Sequence, residues 1–136
     1  MVASSRTGGC RCGAIRYEIK GAPLAGIACH CRDCQYASGG AENVSMVFDR
    51  AGFAMLEGTL RVYKARPTSG GTFFCELCGV HVFSQPDSNP RLIAIKVGSL
   101  DDRSDFKVNA DIWMKSAPPW HRPHEGARQV DGNLAG

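Results

Sequence analysis

The chain has 136 residues, with 16 Lys or Arg against 13 Asp or Glu, a formal net charge of +3, and seven cysteines. A hydrophobic share of 43% and a charged share of 21% are those of an ordinary globular domain. The basic residues are scattered with no run of five, which excludes the electrostatic footprint of a nucleic-acid binder. No apolar run approaches the ~20 residues a membrane helix needs, and Met1 to Gly9 has nothing resembling a secretory leader. The expectation is one cytoplasmic domain over residues 1–136, without nucleic-acid or membrane partners.

Strand signals dominate in chain order. Ile15, Tyr17 and Ile19 alternate with Arg16, Glu18 and Lys20, predicting a half-buried strand that Gly21-Ala22-Pro23 ends. Val44 to Phe48 and Phe53 to Leu56 predict two short strands around an Asp49-Arg50-Ala51-Gly52 turn. Leu60 to Lys64, Thr72 to Phe74 and Val80 to Phe83 predict three more. Leu92 to Val97 is the most apolar and β-branched stretch and is predicted to be central; Ile112-Trp113-Met114 predicts the last strand. No window of a dozen residues carries a 3.6-residue apolar period, so helices are expected to be short. Ser38-Gly39-Gly40, Ser69-Gly70-Gly71 and Asp87-Ser88-Asn89-Pro90 predict loops. Beyond Trp120 the chain reads as irregular, with residues 121–136 a tail. The expected class is mainly β, made of short antiparallel strands.

The cysteines carry the chemistry. In a reducing compartment, clustered cysteines point to metal or catalysis, and an odd number cannot all pair as disulfides. Cys10-x-Cys12-Gly13 and Cys75-x-x-Cys78-Gly79 have the form of zinc knuckles, each closed by a glycine that tolerates the turn's backbone angles. A site joining these four would complete a tetrahedron and staple the N-terminal strand to the middle of the sheet. Cys29-His30-Cys31-Arg32-Asp33-Cys34 sets three sulfurs within six residues, a tripod whose fourth partner comes from elsewhere. A rival grouping stands beside this one: Cys31 and Cys34 with Cys75 and Cys78 as one ribbon, leaving Cys10, Cys12 and Cys29 spare. The first predicts two zinc ions per chain, the rival one.

Three thiolates already outweigh the charge of a divalent zinc. Such a site is poor at making hydroxide and well suited to accepting a fourth thiolate in its nucleophilic form. The predicted chemistry is capture of a small thiol and its addition to an electrophile such as an aldehyde.

Other residues receive blander expectations. His30 points away from the cluster in extended backbone and is expected to be hydrogen-bonded or exposed. Arg32 is expected to face solvent, and Trp113 and Trp120 to lie in the core. His81 is expected in packing or at the surface, while His121 and His124 are given no role. Gly39 and Gly40 either admit a peptide-like ligand close to the backbone or serve a turn with unusual angles.

Several stretches together resemble the glutathione-dependent formaldehyde-activating enzyme family, the zinc domain also found in centromere-protein-V-like proteins. They are Gly9-Cys10-Arg11-Cys12-Gly13-Ala14-Ile15-Arg16-Tyr17, Cys29 through Gly39, Phe74-Cys75-Glu76-Leu77-Cys78-Gly79, Val97-Gly98-Ser99-Leu100-Asp101-Asp102, and Asp111-Ile112-Trp113 followed by Trp120. The resemblance covers roughly residues 8–120. It implies a Mss-four-like fold of antiparallel sheets and a structural zinc on Cys10, Cys12, Cys75 and Cys78. It also implies a second, catalytic zinc on Cys29, Cys31 and Cys34. The reaction implied is that of a carbon–sulfur lyase read in reverse: glutathione and formaldehyde join to give an S-hydroxymethyl adduct. Where the family often has a basic residue just after the third cysteine of that cluster and a histidine before the Ile-Trp segment, this chain has Gln35 and Ala110-Asp111. The alternative expectation is a zinc-stabilised module that binds a protein or thiol without turnover.

Overall fold

The structure, a computed structural model, describes residues 4–134. The alternating residues form β2 (Arg16–Lys20), in which Tyr17 and Ile19 are buried and Lys20 is exposed. It lies between β1 (Ser5–Gly9) and β5 (Phe53–Glu57) in a three-stranded antiparallel sheet. A second sheet has eight strands. In spatial order they are β11 (Arg128–Gln129), β10 (Ala110–Ile112), β3 (Ala25–Cys29), β4 (Asn43–Asp49), β9 (Leu92–Lys96), β8 (His81–Ser84), β7 (Thr72–Phe74) and β6 (Arg61–Tyr63). The apolar stretch from Leu92 is interior to this sheet, as its composition predicted.

The two sheets meet over one core. Ile15, Tyr17 and Ile19 pack with Met46 and Phe48 of β4, Val82 and Phe83 of β8, and Ile93 and Ile95 of β9. Phe83 stacks on Phe73 at 4.5 Å between centroids and meets Phe53 at 5.0 Å, so aromatic rings bridge the layers. A polar intrusion from Ser99 is satisfied: Tyr17 Oη and Ser99 Oγ lie 2.7 Å apart, and Ser99 also donates to the carbonyl oxygen of Lys96.

Several expectations need correction. Ser5–Gly9 and Ala25–Cys29 are strands although their small and polar residues carried no strand signal. The last predicted strand is shifted: β10 ends at Ile112 because Trp113 takes a positive φ of 58°. The tail is not wholly loose. Arg128 and Gln129 pair with Ala110 and Asp111, and Val130 N donates to Asp111 O. Nor is every pairing antiparallel, since β10 runs parallel to both β3 and β11. Asn109 pegs this insertion by exchanging hydrogen bonds of 2.7 Å with the Gly26 backbone. A side chain at Gly26 would collide with the Lys107 carbonyl, so the close approach needs glycine there.

One α-helix begins among the middle cysteines, α1 (Arg32–Ser38), and Gly39 closes it in the left-handed conformation (φ 80°). That turn accounts for Gly39, and Gly40 (φ 117°) continues it beneath the Trp120 ring. Among the described residues, no helix is long and apolar enough to cross a membrane.

Candidate metal centres

The turn from β1 to β2 and the turn from β7 to β8 are built alike. In the first, Cys10 N donates to Ile15 O and Gly13 N to Cys10 O; in the second, Cys75 N donates to Val80 O and Gly79 N to Cys75 O. Gly13 (φ 84°) and Gly79 (φ 79°) take the left-handed angles that the sequence predicted for the residue after each pair. The two turns meet, so that Cys10, Cys12, Cys75 and Cys78 offer sulfurs all within 4.8 Å of one another. Cys10 and Cys12 Sγ are 3.5 Å apart, and Cys12 and Cys75 Sγ 3.8 Å. Four sulfurs at about 2.3 Å from one zinc stand about 3.8 Å from each other, so the set fits the ion. One pair comes from each sheet, and the cluster therefore lies where the sheets join. The Val80 backbone N–H holds the Cys78 thiol down to about 6, favouring the thiolate a metal needs.

The second cluster sits where β3 gives way to α1. Cys29 ends the strand, paired with Asn43 on one side and Ile112 on the other. Cys31 caps the helix, its sulfur accepting from Cys34 N, and Cys34 occupies the first turn. The three sulfurs lie within 4.8 Å of one another, and each residue is only half-buried. Hydrogen bonds from Cys29 and Cys34 pull the Cys31 thiol down, while contact with Cys31 and Cys34 pushes Cys29 strongly up. Without a cation these sulfurs cannot all ionise together; a divalent ion is what their charge calls for. Among the described residues, no carboxylate, imidazole or further thiol completes the set within that distance. The rival ribbon does not form, because Cys31 and Cys34 group with Cys29, and Cys75 and Cys78 with the N-terminal pair.

Sequence reasoning missed what stands behind the second cluster. His30 is fully buried, with Nε2 2.8 Å from Asp111 Oδ1 and Nδ1 2.9 Å from His121 Nδ1. His121 Nε2 donates to Gly40 O at 2.8 Å. Asp111, also fully buried, takes further hydrogen bonds from His124 N, His124 Nδ1 and Gln129 Nε2. Burial pushes the Asp111 carboxyl up, but the donors from His30, His124 and Gln129 outweigh it and hold the group down to about 2. His30, Glu42 and His121 are close enough to suggest a third metal group. However, the two rings aim their Nδ1 atoms at each other with centroids 5.0 Å apart. That leaves room for a shared proton and none for an ion.

The expectation that His30 is satisfied by hydrogen bonds therefore describes its place. His121 and His124, given no role from sequence, are part of the scaffold. The His121-x-x-His124 spacing was the one available hint. Arg32 is exposed as expected, donating to Gln35 Oε1 and lying over the Tyr36 ring at 4.6 Å. Gln35 turns inward and donates to the carbonyls of His30 and Ser116. Trp113 is half-buried, its Nε1 donating to Asn133. Trp120 is 63% exposed rather than in the core, its edge against the Gly40 backbone where no side chain covers it. His81 is half-buried, as its place beside the knuckle suggested.

A mainly β fold carrying a four-cysteine and a three-cysteine cluster defines a Mss-four-like protein whose donor sets are compatible with two zinc sites. It is similar to a Rhodobacter sphaeroides protein of known crystal structure, with a TM-score of 0.60 and 24% sequence identity. The likeness spans 70% of this chain and 87% of that one, and shows the shared fold. The family model described as "Glutathione-dependent formaldehyde-activating enzyme" matches residues 5–116, and the chain belongs to that family.

Proposed function

We propose that the protein is a zinc-dependent enzyme of the carbon–sulfur lyase type, joining a small glutathione-like thiol to a small formaldehyde-like aldehyde. In this reading Cys10, Cys12, Cys75 and Cys78 hold a structural zinc, and Cys29, Cys31 and Cys34 hold a second, catalytic one. The observation that carries it is the half-buried three-sulfur cluster with no fourth ligating side chain beside it among the described residues. Zinc held by Cys29, Cys31 and Cys34 would supply the Lewis acidity that lets an incoming thiol ionise near neutral pH. The reaction forms one S–C bond, opens the carbonyl π bond and delivers the thiol proton to the aldehyde oxygen. It needs no oxidant or reductant.

The chain's own part is to hold three sulfurs in place. The α1 N-terminus sets Cys31 against Cys34, the β3–β4 and β3–β10 pairings fix Cys29, and the Asp111–His30 bond pins the residue between Cys29 and Cys31. The reading keeps the chain as a single cytoplasmic domain. A module that binds without turnover draws support from exposed Tyr36 on α1 and exposed Trp120, but the family match over residues 5–116 favours the enzyme.

The assay separates the two. Purified zinc-loaded protein is expected to speed adduct formation between glutathione and formaldehyde, followed by NMR, and Cys31→Ser to abolish the gain. A wild-type rate equal to the uncatalysed rate over a panel of thiols and aldehydes would leave only the binding module.

A further inference from the structure

A shallow, open cleft of about 410 Å³ is lined among others by Ala37, Glu42, Asn43, Gly79, Val80 and Lys96. It runs between the two cysteine clusters: Gly79 and Val80 follow Cys78 of one, and Ala37 and Asn43 neighbour the other. Ala37 lies three residues after Cys34, on the same face of α1, and Asn43 is the β4 partner of Cys29. Lys96 is paired to Ser45, two residues along β4 from Asn43 and on the same face.

Lys96 is poorly occupied for a half-buried cation. Among the described residues the only hydrogen bond of its ammonium is long, 3.5 Å from Nζ to Ser45 Oγ. Among the described residues it forms no ion pair. Glu42, the acid of the same cleft, lies 3.7 Å from His124 Nε2 instead. A half-buried ammonium of this kind is left for an anion that arrives from outside. Nor can the residue after Cys34 take that part, since Gln35 is spent on the carbonyls of His30 and Ser116.

We infer that Lys96 is the carboxylate anchor of the thiol site: the cleft receives a thiol bearing a carboxylate, with the carboxylate on Lys96 Nζ and the sulfur at Cys29, Cys31 and Cys34. This rests on the proposed thiol site and assigns the side chain that meets the charge of a glutathione-like thiol. A plainer role competes with it. Lys96 could serve only to offset the negative charge of three thiolates around one zinc, in which case every thiol would feel its loss alike.

The test is binding of glutathione and of its diethyl ester to zinc-loaded protein, by isothermal titration calorimetry, with zinc counted in every sample. Wild type is expected to bind the acid about tenfold more tightly than the ester, the worth of one charge-assisted hydrogen bond at a half-exposed site. Lys96→Met is expected to lose that preference with ester binding unchanged, and Lys96→Arg to keep most of it. A preference that survives Lys96→Met overturns the inference. So does an equal loss for acid and ester, or the absence of binding by either. Turnover is read separately on the same samples. Lys96-dependent binding without turnover sinks the enzyme and leaves the anchor standing, whereas turnover without a charge preference does the reverse.

Discussion

Cys75→Ser is expected to unfold the protein, whereas Cys31→Ser is expected to leave it folded. The difference follows from where the clusters lie. Cys75 is 1% exposed, belongs to the central hydrophobic cluster and brings the β7–β8 turn of one sheet to the β1–β2 turn of the other. Zinc binding by a four-thiolate structural site is of order ~10 kcal/mol, comparable with the whole 5–15 kcal/mol by which domains are usually stable. Serine supplies no thiolate, so the variant loses most of that contribution and the tie between the sheets. Cys31, Cys29 and Cys34 lie within one strand end and the helix that follows it, and the core does not depend on them. Far-UV circular dichroism with thermal melting checks both. A folded Cys75→Ser protein with an unchanged melting temperature would show that the cluster at the sheet junction is not a structural metal site.

Asp111→Ala carries the second large effect. It strips the acceptor from His30 Nε2, His124 N and Gln129 Nε2 at once, two of these bonds being 2.7–2.8 Å long and His30 being fully buried. Breaking one side of a buried, hydrogen-bonded pair costs about 3–5 kcal/mol, which denaturant unfolding of the zinc-loaded protein will read. The pH dependence has a definite sign. Asp111 is held below the ordinary carboxylate range, to about 2, so its contribution is complete above that range. It is lost as pH falls through the ordinary value toward 2. Between roughly pH 4 and 2 wild type should lose stability more steeply than Asp111→Ala. Parallel curves would mean that the carboxylate is not engaged as the structure has it.

What could be read in advance was local. The glycine after each knuckle, the alternation from Ile15 to Ile19 and the apolar run at Leu92 each state their own conformation within a few residues, and each formed as expected. The split of seven cysteines into four and three also came through, because tight spacing leaves few ways to group them. The failures were non-local. Ala25–Cys29 has small side chains and a glycine, and becomes a strand only because β4 and β10 flank it. β11 exists because Asp111 offers both its carbonyl and its carboxylate to residues more than a dozen places on. The Asp111–His30–His121 chain joins positions 81 and 91 apart in sequence, and no spacing rule reaches that far.

Zinc stoichiometry tests the central claim, the four-plus-three division, most directly. Two zinc ions per wild-type chain, falling to one in Cys31→Ser with the circular dichroism spectrum unchanged, is the result this account predicts. A single ion in wild type that Cys31→Ser removes, or two ions that it leaves in place, would contradict it.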